Sequence, residues 1–82
     1  MITVLPSALK HGLTVSEVEY AWRNVFEFQR TKGDKLPPHY KALGVLPNGR
    51  TAELVAFSTG VEWFVFHAMT PARRDFMKGA SR

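Results

Sequence analysis

Hydrophobic and polar positions repeat with two different periods along this chain, and the changes of period mark its elements. From Thr14 onward, Val15, Val18, Trp22, Val25 and Phe26 recur at helical spacing, while Glu19, Arg23 and Asn24 take the opposite side. Thr14-Val15-Ser16-Glu17 reads as a capping box, with Thr14 as N-cap and Glu17 reaching back to it, so the main helix starts there and runs to near Phe26. Glu27-Phe28-Gln29-Arg30 alternates polar with apolar, which leaves the helix end open to an extended continuation. Before this helix, Ile2 to Leu5 is a short apolar run that serves as an edge strand or a cap on the core. Pro6-Ser7 then opens a brief helix that Gly12 closes, with Lys10 and His11 in its last turn.

The second half has the period of strands. Thr31 to Pro38 is a loop rich in glycine, proline and charge, followed by a strand over Tyr40 to Leu46. Pro47-Asn48-Gly49-Arg50 is a hairpin turn, because Asn-Gly supplies the positive φ angles such turns require. The chain returns over Thr51 to Phe57, where Ala52, Leu54 and Ala56 alternate with Glu53, Val55 and Phe57. It turns again at Ser58-Thr59-Gly60 into the apolar strand Val61 to Met69. Strict alternation puts Val61, Trp63, Val65, His67 and Met69 on one face and Glu62, Phe64, Phe66 and Ala68 on the other. Thr70-Pro71 then starts a short helix over Ala72 to Lys78 that carries Arg73 and Arg74. The expected fold is α+β: a small antiparallel sheet of three to four strands with two N-terminal helices packed on it and a short C-terminal helix. Trp22 and Trp63 fall at the period of their elements and are read as core.

Eighty-two residues allow one domain, residues 1–82, with a single core. There is no cysteine, which excludes disulfides, thiolate metal sites and cysteine nucleophiles. No apolar run approaches the ~20 residues that span a bilayer, and MITVLP lacks the charged start and apolar body of a signal peptide. A cytoplasmic protein without membrane contact is therefore expected. Eleven Lys and Arg against seven acids give a formal charge of +4, and most of the cations follow residue 31, which favours a polyanion or an acidic partner.

No phosphate-binding glycine loop, nucleophile elbow or histidine pair at metal-ligand spacing occurs, and no metal or other cofactor is expected. What remains is a set of cations, histidines and a tyrosine. That set suits cleavage of RNA by its own 2′-hydroxyl, which needs alignment, charge stabilisation at the phosphoryl oxygens and two proton transfers. Arg73 and Arg74 are candidates for phosphate, His67 or His11 for proton transfer, and Lys10 for charge stabilisation. Each has a plainer reading: His67 as a hydrogen-bonded core histidine, Lys10 and His11 as helix-end cations, and one of the arginines as a partner of Asp75 or Glu62. Tyr40, with Lys41 beside it, and Arg50 at the hairpin tip are candidates for contacting RNA; Tyr40 reads equally as a rim residue over the core.

Lys10-His11-Gly12 before a capped helix, Ala42-Leu43-Gly44 entering the Pro47-Asn48-Gly49-Arg50 hairpin, and a hydrophobic strand running into Ala68-Met69-Thr70 and an arginine-bearing helix stand in collinear order. In this the chain resembles the BrnT-type toxins of bacterial toxin–antitoxin pairs, from about residue 8 to residue 76. The resemblance implies a RelE-like fold, a metal-independent endoribonuclease that cleaves RNA, on or off the ribosome, and inhibits translation, and a cognate antitoxin that covers the active surface. It points to Lys10, His11 and Arg73 or Arg74 as site residues. The alternative is a non-catalytic module on the same fold that holds RNA, DNA or an acidic protein on its basic face, or a subunit that pairs a strand edge with a partner.

Overall fold

The computed structural model describes residues 2–31 and 36–77. In chain order they form β1 (Ile2–Val4), a 3-10 turn (Pro6–Leu9), α1 (Val15–Arg23), β2 (Val25–Arg30), β3 (His39–Val45), β4 (Thr51–Ser58) and β5 (Trp63–Met69). The strands make one sheet in the order β1-β5-β4-β3-β2. β2 through β5 are antiparallel neighbours, and β1 lies parallel to β5 on the edge, with Thr3 beside Phe64.

This corrects the expected fold class. The described residues hold five strands in a mixed sheet and one α-helix, in place of two N-terminal helices on a three- to four-stranded antiparallel sheet with a C-terminal helix. The RelE-like arrangement falls with it. Three local causes account for the difference. Pro6 and Gly12 (φ +91) leave room for a single 3-10 turn, too short for the i→i+4 ladder of an α-helix. α1 stops at Arg23 because the Asn24 side-chain amide donates to the Tyr20 carbonyl and its backbone N–H bonds to the same turn. Val25 and Phe26 therefore leave the helix face to which their spacing assigned them and enter β2, where Phe26 is 59% exposed. At the C-terminal end, Thr70 donates its hydroxyl to the Thr51 carbonyl instead of capping a helix, and residues 74–77 form turns. Lys78, the expected end of that helix, lies outside the described residues, as does the middle of the Thr31 to Pro38 loop.

The N-terminal capping box forms as the sequence implies. The Thr14 hydroxyl accepts from the Glu17 N–H, and the Glu17 carboxylate accepts from the Thr14 N–H. α1 buries Val18 and Ala21 against a floor of Ala42, Ala52, Leu54, Ala56, Val65 and Ala68. So many alanines let the helix backbone come close to the sheet. At Gly44 the approach is closest, since a Cβ there would lie 2.2 Å from the Ala21 carbonyl oxygen. Around this floor, Trp22, Phe28, Tyr40 and Trp63 pack ring against ring on the helix side.

β5 does not keep strict alternation. Ala56 pairs with Val65 and Val55 with His67, so Phe66 is an extra residue, a β-bulge, and the phase of the strand reverses there. Trp63 and Val65 face the helix side, but after the bulge it is Ala68 that joins the core, fully buried. His67 is thereby turned to the opposite face, next to Val55. This corrects the expected pairing of His67 with Trp63 and Val65. The Phe66 carbonyl accepts a hydrogen bond from the Ser7 hydroxyl at 2.7 Å, which ties the 3-10 segment to the bulge.

Candidate active site

The face turned away from α1 carries a charged position of unusual depth. Glu53 on β4 is fully buried, the buried charged residue among those described. Its carboxylate accepts from the Arg73 backbone N–H at 2.9 Å, from Arg73 Nε at 3.0 and 3.1 Å, from Arg73 Nη2 at 2.7 Å, and bonds His67 Nε2 at 2.7 Å. These partners fill the lone-pair directions a carboxylate offers. Burial alone pushes the Glu53 carboxyl up. The Arg73 side-chain and backbone hydrogen bonds, the His67 hydrogen bond and the Arg73 charge together outweigh it, and they hold the carboxyl below its ordinary value of 4.5. The same hydrogen bond and charge raise Arg73 further above its own ordinary value. Glu53 is therefore ionised at neutral pH, so His67 Nε2 donates to it, and His67 Nδ1 has no hydrogen-bond partner among the described residues.

His67 is held on both sides. The Phe76 ring stacks over it at 6.4 Å, and the His11 ring meets it edge-on at 5.5 Å. Phe76 belongs to the C-terminal segment that crosses this face of the sheet. It is anchored by the Arg73–Glu53 bonds, by Ala72 N–H to the Thr51 carbonyl and by Lys41 Nζ to the Phe76 carbonyl at 2.9 Å. Above these groups lies a cleft of about 350 Å³ lined by Ser7, Lys10, His11, Val55, Phe66, His67 and Arg73.

Four of the side chains singled out from the sequence, Lys10, His11, His67 and Arg73, thus come from two distant parts of the chain, the N-terminal 3-10 region and the end of β5 with the segment after it, to one cleft. The rest lie elsewhere. Arg74 is exposed and outside the lining, and Arg50 sits in the exposed β3–β4 hairpin turn. Tyr40 stacks on Phe28 at 5.0 Å on the helix side of the sheet, away from the cleft. Lys41 is spent on the Phe76 carbonyl and stands 5.2 Å from the ring centroid. Sequence reasoning missed Glu53, which occupies a polar place in an alternating strand. The signal was a carboxylate between Ala52 and Leu54 in an otherwise apolar strand, a position that sheet geometry buries only when cations come to it.

Glu53→Gln keeps the shape and removes the charge. At pH 7 the variant is expected to be less stable by about 2 kcal/mol, below the usual cost of breaking a buried pair because the Arg73 side chain is more than half exposed and solvent screens it. The folded carboxyl sits below its unfolded value, so its contribution is complete above about pH 4.5 and fades as pH falls through the folded value. Urea unfolding of both proteins at pH 7 and in acid checks this: the gap should narrow toward low pH.

No protein-family model matches the chain, and no curated protein or solved structure matches it. Among the described residues no group of His, Asp and Glu is arranged to hold a metal ion, and no helix is long and apolar enough to cross a membrane.

Proposed function

We propose that the chain is a metal-independent endoribonuclease of the toxin type, cleaving RNA through the 2′-hydroxyl of the strand itself. The observation that carries this reading is the convergence of two histidines, an arginine and a lysine on one cleft, with a buried carboxylate orienting one of the histidines. In the proposed reaction the 2′-oxygen attacks the adjacent phosphorus and loses its proton to one imidazole. The bond from phosphorus to the 5′-oxygen breaks, and that oxygen leaves with a proton given by the other histidine. The products are a 2′,3′-cyclic phosphate and a 5′-hydroxyl. Arg73 and Lys10 stand where charge builds on the phosphoryl oxygens, and Arg73 is already aligned by Glu53, so little reorganisation is needed during the reaction. Glu53 acts through its partners as a positioning residue: it sets the His67 tautomer and the Arg73 fork.

The collinear motifs shared with BrnT-type toxins, without the fold that they imply, support a proposed cellular role in arresting translation, with a cognate antitoxin over the cleft. Induced expression in a bacterial host tests it, with total RNA examined from each culture. Wild type should stop growth and fragment RNA, and the folded His67→Gln variant should do neither. A second reading, a non-catalytic binding module, is favoured by the exposure of the Arg73 side chain, which keeps it available to a polyanion. Soluble wild-type protein that leaves RNA intact yet binds it in a salt-sensitive manner would select that reading.

A further inference from the structure

The sheet face that carries the cleft continues beyond it as a row of rings. His39 on β3 is the cross-strand neighbour of Phe57 on β4, and Phe57 is the cross-strand neighbour of Phe64 on β5. The ring centroids are 5.8 Å apart in the first pair and 5.0 Å in the second, where the rings are stacked with an interplanar angle of 17°. Phe66, displaced by the bulge, joins the row to the cleft: it stands 5.6 Å from His39 and 6.0 Å from Phe57, and it also lines the cleft. All four rings keep part of their surface in solvent, while α1 lies on the other side of the sheet. The Pro37 carbonyl can only accept, so His39 Nδ1 carries the hydrogen bonded to it at 2.8 Å, and His39 Nε2 has no hydrogen-bond partner among the described residues.

We infer that the His39, Phe57, Phe64 and Phe66 row is a stacking platform for the unpaired bases of a single-stranded RNA whose backbone lies in the adjoining cleft. The inference rests on the ribonuclease reading and adds its substrate class. Two features select this occupant. The row is continuous with the cleft through Phe66, and the cations stand at the cleft end, Lys10, His11 and Arg73, where a sugar–phosphate backbone needs them. Phe57 and Phe64 are stacked on one another, so unpaired bases meet the ring surface that this row leaves in solvent, a mode that tolerates any sequence and requires the free faces of unstacked bases. A duplex hides those faces, so it is excluded from the platform.

The test uses a dye-labelled, fully 2′-O-methylated single-stranded oligonucleotide, which lacks the attacking hydroxyl and so reports binding alone by fluorescence anisotropy. Its abasic counterpart and its duplex serve as controls. Wild type should bind the base-bearing single strand tighter than either control. Phe57→Leu and Phe64→Leu, confirmed folded by circular dichroism, should each weaken that binding about ten-fold and leave the abasic strand unaffected. Equal wild-type affinity for the base-bearing and abasic strands overturns the platform without any variant. Cleavage of an unmodified strand with KM unchanged in both Phe variants overturns the platform and leaves the nuclease standing. Phe-dependent binding of the single strand with no cleavage keeps the platform and overturns the nuclease. No binding of any oligonucleotide by wild type overturns both.

Discussion

His67→Gln is expected to lower the rate of RNA cleavage by about a thousand-fold, the middle of the range for losing a positioned proton-transfer group. That corresponds to about 4 kcal/mol of transition-state stabilisation. Glutamine is chosen because its side-chain amide can still donate to Glu53, so the buried carboxylate keeps a partner and the C-terminal segment keeps its anchor through Arg73. The loss should appear in kcat with KM little changed, since the proposed reaction gives proton transfer to His67 and the phosphate to Lys10 and Arg73. His11→Gln should give a loss of similar size. The double variant should lose far less than the product of the two, because groups acting in one step are not additive. Steady-state kinetics on a single-stranded oligoribonucleotide, with thermal melts to confirm folding, reads all three.

Gly44→Ala is expected to cost about 3 kcal/mol of stability, the upper end of the range for overpacking a core. The added methyl carbon would lie 2.2 Å from the Ala21 carbonyl oxygen and 2.9 Å from its carbonyl carbon, so α1 itself has to move. The helix rests on a floor of small side chains and has no flexible neighbour to give way there. For a domain of this size such a loss lowers the melting temperature by well over ten degrees, and it should do so without touching the cleft on the opposite face. Chemical denaturation at fixed pH measures it, and Ala42→Gly serves as a contrast, since it removes packing at the same helix–sheet contact without adding a clash.

The parts of this fold that depend on neighbouring residues were legible in the sequence. Thr14 and Glu17 announce the start of α1, and the runs around Ala42, Leu54 and Val65 announce three strands; Asn48-Gly49 announces the β3–β4 hairpin, although Gly49 alone takes the positive φ expected of the pair. What failed depends on partners far along the chain. Val25 and Phe26 fit the helical period as well as they fit a strand. Asn24 decides between them by closing the helix, and pairing with β3 holds the result. The bulge at Phe66 leaves no mark in the sequence, yet it reverses every side chain after it and turns His67 from the core toward the cleft. The parallel pairing of β1 with β5 joins residues some sixty positions apart, which no local period can reveal.

The candidate site divides along the same line. Lys10, His11, His67 and Arg73 stand out by chemical type, and a basic chain without cysteine directs attention to them. Glu53 does not stand out, because its importance comes from Arg73 twenty residues later and His67 fourteen residues later, both brought to it by the sheet and by the segment that folds back across it. Lys41 and Tyr40 look equally suited to RNA in the sequence. The structure uses one to fasten Phe76 and the other to complete the aromatic cluster around Trp63.

The most direct test of the account is incubation of the purified protein with a single-stranded oligoribonucleotide in the presence of a metal chelator, with the product ends identified by mass spectrometry. The account predicts fragments ending in a 2′,3′-cyclic phosphate and beginning with a 5′-hydroxyl, and no cut where the nucleotide 5′ of the scissile phosphate is replaced by its 2′-deoxy form. Intact RNA, or equal cleavage at the 2′-deoxy position, would contradict it.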